Sequence, residues 1–251
     1  MKNKEVLQEG ERLDDLHYKG LMLLQNKKEF CFGIDAVILA GFAKVKEKER
    51  VLDLGTGTGV IPLLLSAKTD GESFWGCEVQ ETMAEMAKRS IAYNDLEGCV
   101  KIVHLDLKEL TKEHTEGKFH VVTSNPPYMN TGGGLQNPYA GKAIARHEIL
   151  CTLEDVVATA ARMLLPNGRF YMVHRPQRLV DIFETCRKYH LEPKTLRMVH
   201  PFVDEEATMV LLECISHRNP LLKVLPPLVV YEAQNQYTKE LNEIHYGNKE
   251  V

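Results

Sequence analysis

Between Val51 and Lys68 the chain runs from a short apolar segment, Val51-Leu52-Asp53-Leu54, through Gly55-Thr56-Gly57-Thr58-Gly59 into a second apolar stretch. No other segment limits the fold as strongly. Glycine at every second position lets the backbone turn tightly and approach a ligand, and the helix that follows presents its first amides at that turn. Downstream the pattern repeats. Strands are expected at 51–54, 73–78, 100–105, 119–124 and 168–174, and helices at 59–68, 80–94, 152–164 and 176–190, the order of a parallel sheet with crossover helices. The strands are short and rich in Val, Leu and Ile, as when both faces are covered. Leu196 to His200 and Ala207 to Ser216 read as a closing pair, the latter antiparallel at or near an edge. The expected fold is therefore α/β, a doubly wound, mostly parallel, seven-stranded sheet.

Ahead of it, apolar stretches between Gly20 and Phe32 flank Gln25-Asn26-Lys27-Lys28-Glu29 and read as a β-hairpin with a polar tip. An alanine-rich helix follows from Gly33 to Ala43, and the charged run Lys44 to Arg50 marks a boundary. Residues 1–49 are thus read as an elaboration on a main domain spanning 50–251. After Arg218, Pro226 to Tyr231 suggests a short strand and Gln236 to His245 a final helix. The net charge of −4 over 251 residues leaves no global polycation, so a nucleic-acid partner must be met by a local basic face. The six cysteines are scattered, without a C-x-x-C pair or a zinc-like Cys/His spacing, so no metal is expected. No run approaches the roughly 20 apolar residues of a membrane span. A cytoplasmic protein without membrane contact is the expectation; the sequence leaves the oligomeric state open, with a monomer favoured.

Three ligand loops suit a glycine turn on such a sheet. A P-loop would need a lysine after its last glycine, and none follows here. The dinucleotide fingerprint would put its third glycine at position 60, which is Val60. What remains, Asp53-x-Gly55-x-Gly57-x-Gly59, resembles the first motif of S-adenosylmethionine-dependent methyltransferases. That resemblance implies that the loop cradles the amino-acid part of the cofactor, S-adenosyl-L-methionine. Glu78 ends the next strand, where a carboxylate can accept both ribose hydroxyls, a feature shared with NAD sites. Asp106 closes the third strand. The resemblance gives it the adenine amino group, while its plain alternative is a helix cap. Asp35, in Phe32-Gly33-Ile34-Asp35-Ala36, is divided evenly between a cap and a place over the cofactor.

At the end of the apolar strand Phe119 to Thr123 stands Asn125-Pro126-Pro127-Tyr128, which resembles the tetrapeptide that these methyltransferases use on planar amino groups. An exocyclic amine is a poor nucleophile because its lone pair is delocalised into the ring. Two acceptors aimed at its N–H bonds, the Asn125 side-chain oxygen and the Pro126 carbonyl, would localise that pair and bind more strongly as positive charge develops. The fixed φ of Pro126 and Pro127 stiffens the turn. Tyr128 offers a face on which a flipped base can stack. Asn125 is also a candidate cofactor contact.

Enzymes acting on adenine N6 in DNA or RNA share this tetrapeptide with enzymes acting on a glutamine amide in release factors. The hairpin, Phe32-Gly33-Ile34-Asp35-Ala36, Ala145-Arg146-His147-Glu148 and the segment Tyr231 to Gly247 extend the likeness over nearly the whole chain. It resembles the bacterial tRNA-1(Val) adenine-N6 methyltransferase family, which implies action on the adenosine after the anticodon of a valine tRNA. Glutamine methyltransferases usually carry a separate helical N-terminal domain, for which fifty residues leave little room. Methylation of rRNA, DNA or a protein glutamine remains the alternative enzyme reading, and an RNA-binding chaperone that keeps only the fold is the non-enzyme one. Ten Lys/Arg against six Asp/Glu between Lys142 and Arg197 give a modest basic excess. Within it Lys142, Arg146, Arg175 and Arg178 are the candidate RNA contacts, because they flank the loop after the tetrapeptide and the C-terminal end of a parallel strand. Met129 to Lys142 is expected to close over the base.

Overall fold

The computed structural model describes residues 6–27, 31–126 and 151–247. The chain opens with an antiparallel hairpin, β1 (Glu11–Asp15) and β2 (Met22–Asn26), in which Leu13 faces Leu24. Its turn lies at Leu16 to Leu21, so the expected tip at Gln25 to Glu29 is corrected. The apolar run after Gly20 pairs backward with the charged strand β1, and Gln25 and Asn26 lie within β2. Local backbone decides this: His17, Lys19 and Gly20 all take positive φ (56°, 49° and 74°), and the Leu16 N–H donates to the Leu21 carbonyl at 2.9 Å.

Helix α1 (Ile34–Phe42) leads into β3 (Arg50–Leu54), followed by α2 (Val60–Lys68), β4 (Ser73–Glu78), α3 (Glu81–Tyr93), β5 (Val100–His104) and β6 (Phe119–Ser124). After the next described residues come α4 (Leu153–Met163), β7 (Leu164–His174), α5 (Leu179–Lys188), β8 (Leu191–His200) and β9 (Met209–Ser216). These seven strands run in the order β5-β4-β3-β6-β7-β9-β8. The first five are parallel, and β9 is antiparallel to both of its neighbours. The closing strand is therefore inserted one position inside the edge. Beyond β8 the sheet gains two short parallel strands, β10 (Lys223–Val224) and β11 (Leu228–Val229).

Side chains alternate between two apolar layers. Val51, Val121, Tyr171 and Leu211 pack with α1 and α2, whereas Leu52, Leu54, Val122, Met172 and Leu212 pack with α4 and α5. Burial on both faces is what makes these strands read as continuous apolar runs. Helix α1 is covered from Ala36 to Ala40 without a break, as expected of a helix that is apolar all round. A capping box starts α4, with Thr152 and Asp155 each satisfying a backbone amide of the other. The expected helix 176–190 begins as a 3-10 turn over Pro176–Arg178, because proline suits a first turn but donates no N–H. At the C-terminus β12 (Tyr231–Ala233) and β13 (Gln236–Tyr237) form a small hairpin before α6 (Lys239–Tyr246). The helix thus begins three residues later than the expected Gln236, at a start set by Thr238, whose hydroxyl accepts the Leu241 N–H at 3.3 Å.

The first hairpin is held by polar groups of α3 as well as by apolar packing. Ser90 Oγ accepts the Leu24 N–H at 3.0 Å and donates to Met86, while Asn94 exchanges two bonds with the Met22 backbone. Arg89 grips the Glu11 carboxylate through two nitrogens, both at 2.6 Å. Ser90 is fully buried, so Ser90→Ala strands a buried amide. A loss of about 1–3 kcal/mol is expected, read as a lower urea midpoint at unchanged m.

Candidate functional site

The strand order reverses between β3 and β6, and in open α/β sheets ligands bind beside the carboxyl ends of strands at such a point. A cavity of about 280 Å³ opens there. Gly55, Gly57 and Gly59 all have left-handed φ (69°, 58° and 83°), the conformation that the sequence anticipates. The amides of Gly55 and Thr56 both donate to the Cys77 carbonyl at 3.0 Å, which ties the turn to β4. Glu78, only 2% exposed at the end of β4, accepts the Gly57 N–H through Oε2 at 2.8 Å and the Gln80 N–H through Oε1 at 3.0 Å. Its carboxylate is thereby fixed on the cavity wall.

Asp35, Gly55, Gly57, Glu78, Asp106, Asn125, Pro126 and Arg175 all line this cavity, brought together from α1, four strand ends and the turn. Asp35 sits in the first turn of α1 behind Gly33, so it is not the helix cap. Asp106 takes the capping part. It caps the 3-10 turn Leu107–Glu109, accepting the Lys108 N–H at 2.9 Å, and still borders the cavity. Ser124 donates to the Leu54 carbonyl at 2.9 Å, which holds the end of β6 against β3 and presents Asn125 beside the turn. Arg175 follows β7 and donates to the Thr208 carbonyl at 2.9 Å.

Three expected site residues stand apart from the lining. Asp53 is 1% exposed beneath the turn, where Thr123 donates to Oδ1 at 2.7 Å and Oδ2 has no hydrogen-bond partner among the described residues. Burial, helped by the nearby charge of Glu78, raises its pKa from 3.8 to about 7 against the opposing effect of the Thr123 and Thr56 hydroxyls. Gly59 is a packing position: a Cβ there would stand 3.2 Å from Ala87 Cβ of α3. Arg178 is engaged at the surface with Asp181 at 2.7 Å. Asp53 and Gly59, expected at the cofactor, thus stand behind the cavity wall rather than on it, while Arg178, a candidate RNA contact, stays at the surface. Pro127, Tyr128, Lys142 and Arg146, and the expected closing segment Met129 to Lys142, lie outside the described residues.

The sequence carries no local signal that brings Thr123, Cys77 or Cys151 to this site. Thr123 and Asp53 are partners in the parallel register of β6 and β3, a relation invisible without the pairing. Cys77 and Cys151 both line the cavity, and burial pushes both thiols up to about 12, so they present neutral, weakly polar walls. His174, behind Arg175, is held down to about 4 by burial and by nearby Arg178, and its Nδ1 accepts the Arg175 N–H at 2.8 Å. It is neutral at pH 7 and unavailable as a proton acceptor while that bond stands.

This architecture, with its inserted antiparallel strand and a glycine turn at the switch point, is the Rossmann-like class I methyltransferase fold. Solved structures agree. A predicted O-methyltransferase from Agrobacterium tumefaciens superimposes with a TM-score of 0.68 at 24% identity, covering 85% of this chain and 96% of that one. A methyltransferase from Pyrococcus furiosus gives 0.57 at 20%, covering 80% and 91%. Residues 34–190 match the family model of the methyltransferase small domain, and the chain belongs to that family. Among curated relatives, a tRNA1(Val) (adenine(37)-N6)-methyltransferase from a Flavobacteriaceae bacterium is 26% identical over 91% of this chain and 96% of its own. Proteins of the same name from Bacteroides fragilis and Bacteroides thetaiotaomicron are 28% identical over 91% and 96%, and 30% identical over 69% and 72%.

Proposed function

We propose that this chain transfers the methyl group of S-adenosylmethionine to the exocyclic N6 amine of an adenosine in tRNA, beside the anticodon of a valine tRNA. The observation that carries this reading is the placement of Asn125 and Pro126 on the wall of the same cavity as the glycine turn, Glu78 and Asp106. The relatives' shared name supports the choice of substrate.

The cavity's chemistry fits the cofactor. Its three acidic side chains, Asp35, Glu78 and Asp106, suit a ligand that carries an ammonium, a sulfonium and hydrogen-bond donors. Left-handed glycines keep side chains out of the turn, and Leu54, Ile61, Val79, Met83 and Leu107 supply apolar walls. Gly55 and Gly57 would accommodate the amino-acid end, Glu78 the ribose hydroxyls and Asp106 the adenine amine, with Asp35 closing the cavity from α1. Asp53 would act from beneath the turn by its charge, and Gly59 by letting α2 approach α3.

When bound, the cofactor supplies a methyl group already activated on sulfur. The chain then has to align the amine and stabilise the charge that develops on it. Asn125 Oδ1 and the Pro126 carbonyl would accept the two N–H bonds, drawing the nitrogen from planar toward tetrahedral geometry as its lone pair displaces sulfur from the methyl carbon, after which the cationic nitrogen releases one proton to solvent. Holding the reacting atoms in line is worth on the order of 7–11 kcal/mol. Tyr128 is assigned the stacking face, Pro127 the stiffening of the turn, and Arg146, Lys142 and Arg175 the RNA phosphates. Arg178, held by Asp181, would join them at the rim. Residues 1–49 are taken as an elaboration on a methyltransferase domain of residues 50–251.

Incubation with labelled cofactor and unmodified tRNA should yield N6-methyladenosine in a valine tRNA. Label appearing only in rRNA, DNA or release factor offered in parallel would transfer the activity to that substrate. RNA binding without label in any of them would leave only the chaperone reading.

A further inference from the structure

After β5 the chain passes through Asp106 into a single 3-10 turn, Leu107–Glu109. A turn this short closes few hydrogen bonds of its own, so its remaining carbonyls need donors from elsewhere. Backbone amides meet only part of that need: Glu109 N–H donates to the Asp106 carbonyl at 2.9 Å and Leu110 N–H to the Leu107 carbonyl at 3.2 Å. Helix α4 supplies the rest. Arg162 donates from Nε to the Leu110 carbonyl at 3.1 Å, and from Nη2 to the Leu107 and Lys108 carbonyls at 3.1 and 3.2 Å. Thr159, three residues earlier and so on the same helix face, donates to the Leu107 carbonyl at 3.1 Å and accepts from Arg162 Nη2 at 3.0 Å.

Among the described residues no carboxylate pairs with this guanidinium; its donors go to carbonyl oxygens. A planar fork with donors in fixed directions can span three carbonyls at once, which a single ammonium cannot. At the start of the same turn Asp106 is held as well. Its Oδ1 accepts the Lys108 N–H at 2.9 Å, and its Oδ2 lies 3.2 Å from Lys108 Nζ, so each oxygen keeps a second lone pair to offer. The turn is thus clasped at both ends. Asp106 and Leu107 line the first cavity, whereas Arg162 and Thr159 do not.

From this arrangement we infer that Arg162 is a positioning residue for the cofactor's base: by holding the Leu107, Lys108 and Leu110 carbonyls it fixes Asp106 on the cavity wall and thereby sets the preference for adenine. The inference rests on the cofactor reading above, in which Asp106 accepts the adenine amine. A carboxylate selects an amine only if it cannot turn away from the alternative. Hypoxanthine carries a carbonyl oxygen where adenine carries its amine, so a fixed Asp106 meets it acceptor against acceptor, and neither group is satisfied. A loosened turn lets Asp106 swing toward water and removes that penalty. Arg162 therefore acts on selectivity from outside the cavity, through the backbone of the turn.

The test titrates the full-length protein by calorimetry with S-adenosylhomocysteine and with S-inosylhomocysteine, its deaminated counterpart. The unmodified protein should prefer the adenine form by about 10–100-fold, the worth of one hydrogen bond to a charged acceptor. Arg162→Ala should reduce that preference to within about threefold, and Arg162→Lys, which keeps the charge but not the fork, should fall between the two. A loss of stability alone would lower the melting temperature and leave the ratio of the two affinities in the folded protein untouched. Should Arg162→Ala fail to fold, Arg162→Lys decides, because its ratio must still drop below that of the unmodified protein. Binding without preference in the unmodified protein, or a preference unchanged in the folded variants, would overturn this inference and leave methyl transfer standing. Failure of the unmodified protein to bind S-adenosylhomocysteine at all would overturn the proposed function and this inference with it.

Discussion

Asn125→Ala should lower kcat for tRNA methylation by about 10²–10³-fold, the range observed when one positioned transition-state hydrogen-bonding group is removed. The KM for tRNA should stay within a few fold. The reason for the split lies in where the bond gains strength. In the ground state the adenine amine is planar and nearly neutral, so its N–H groups gain little more from Asn125 than from water. During methyl transfer the nitrogen becomes tetrahedral and cationic, and the same acceptor oxygen is then worth much more. Ser124 anchors the strand end to the Leu54 carbonyl, so the acceptor is held before the substrate arrives. Asn125→Asp keeps an acceptor oxygen and should retain more activity than Asn125→Ala. Steady-state kinetics with a valine tRNA transcript, with binding followed separately by filter retention, distinguish the outcomes. A tenfold or greater rise in KM at unchanged kcat would make Asn125 a binding residue and return the catalytic question to the rest of the tetrapeptide.

Much of this site is legible in the sequence because its parts are local. A glycine turn between an apolar strand and a helix, an acid ending the next strand and another ending the third each follow from a few neighbouring residues, and all border one cavity. The sheet was equally readable, since strands covered on both faces announce themselves as apolar runs. What failed needs pairing information. In the N-terminal hairpin Gln25 and Asn26 look like a turn but belong to β2, whereas the positive φ at His17 and Lys19 arises at residues with no strong turn signature. Gln25 is in fact buried within β2, opposite Arg12. Insertion of β9 between β7 and β8, and the hydrogen bond from Thr123 to Asp53, are likewise contacts between distant segments that no window of sequence contains. The hydrogen bonds from Tyr171 and Thr195 to Glu213 across β7, β9 and β8 are of the same kind, predictable only once the register is known.

Asp53 is the case in which burial sets the chemistry, and Asp53→Asn should show it through pH. The carboxyl ionises near its ordinary value in the unfolded chain but only at about 7 in the folded one. Below the unfolded value both states hold the proton, and the group places no penalty on folding. As pH rises toward 7 the unfolded chain has released its proton while the folded chain retains it, so stability falls, and the loss is complete above the folded value. Between pH 5 and pH 8 this amounts to on the order of 3 kcal/mol. An asparagine does not titrate, and its oxygen can still accept the Thr123 hydroxyl. The melting temperature of Asp53→Asn relative to wild type should therefore climb by roughly 6–12 °C from pH 5 to pH 8. Cofactor binding should run the other way. At pH 8 the wild-type turn has a negative charge beneath it, which favours a ligand bearing an ammonium and a sulfonium, whereas at pH 5 that charge is largely neutralised. Asp53→Asn should thus weaken cofactor binding at pH 8 and much less at pH 5, measured by calorimetry at both. A difference in melting temperature that stays level across the range would mean that Asp53 is already ionised at pH 5. The unpartnered Oδ2 would then have to be solvated within the fold, and its charge would act on the turn at every pH at which the protein works.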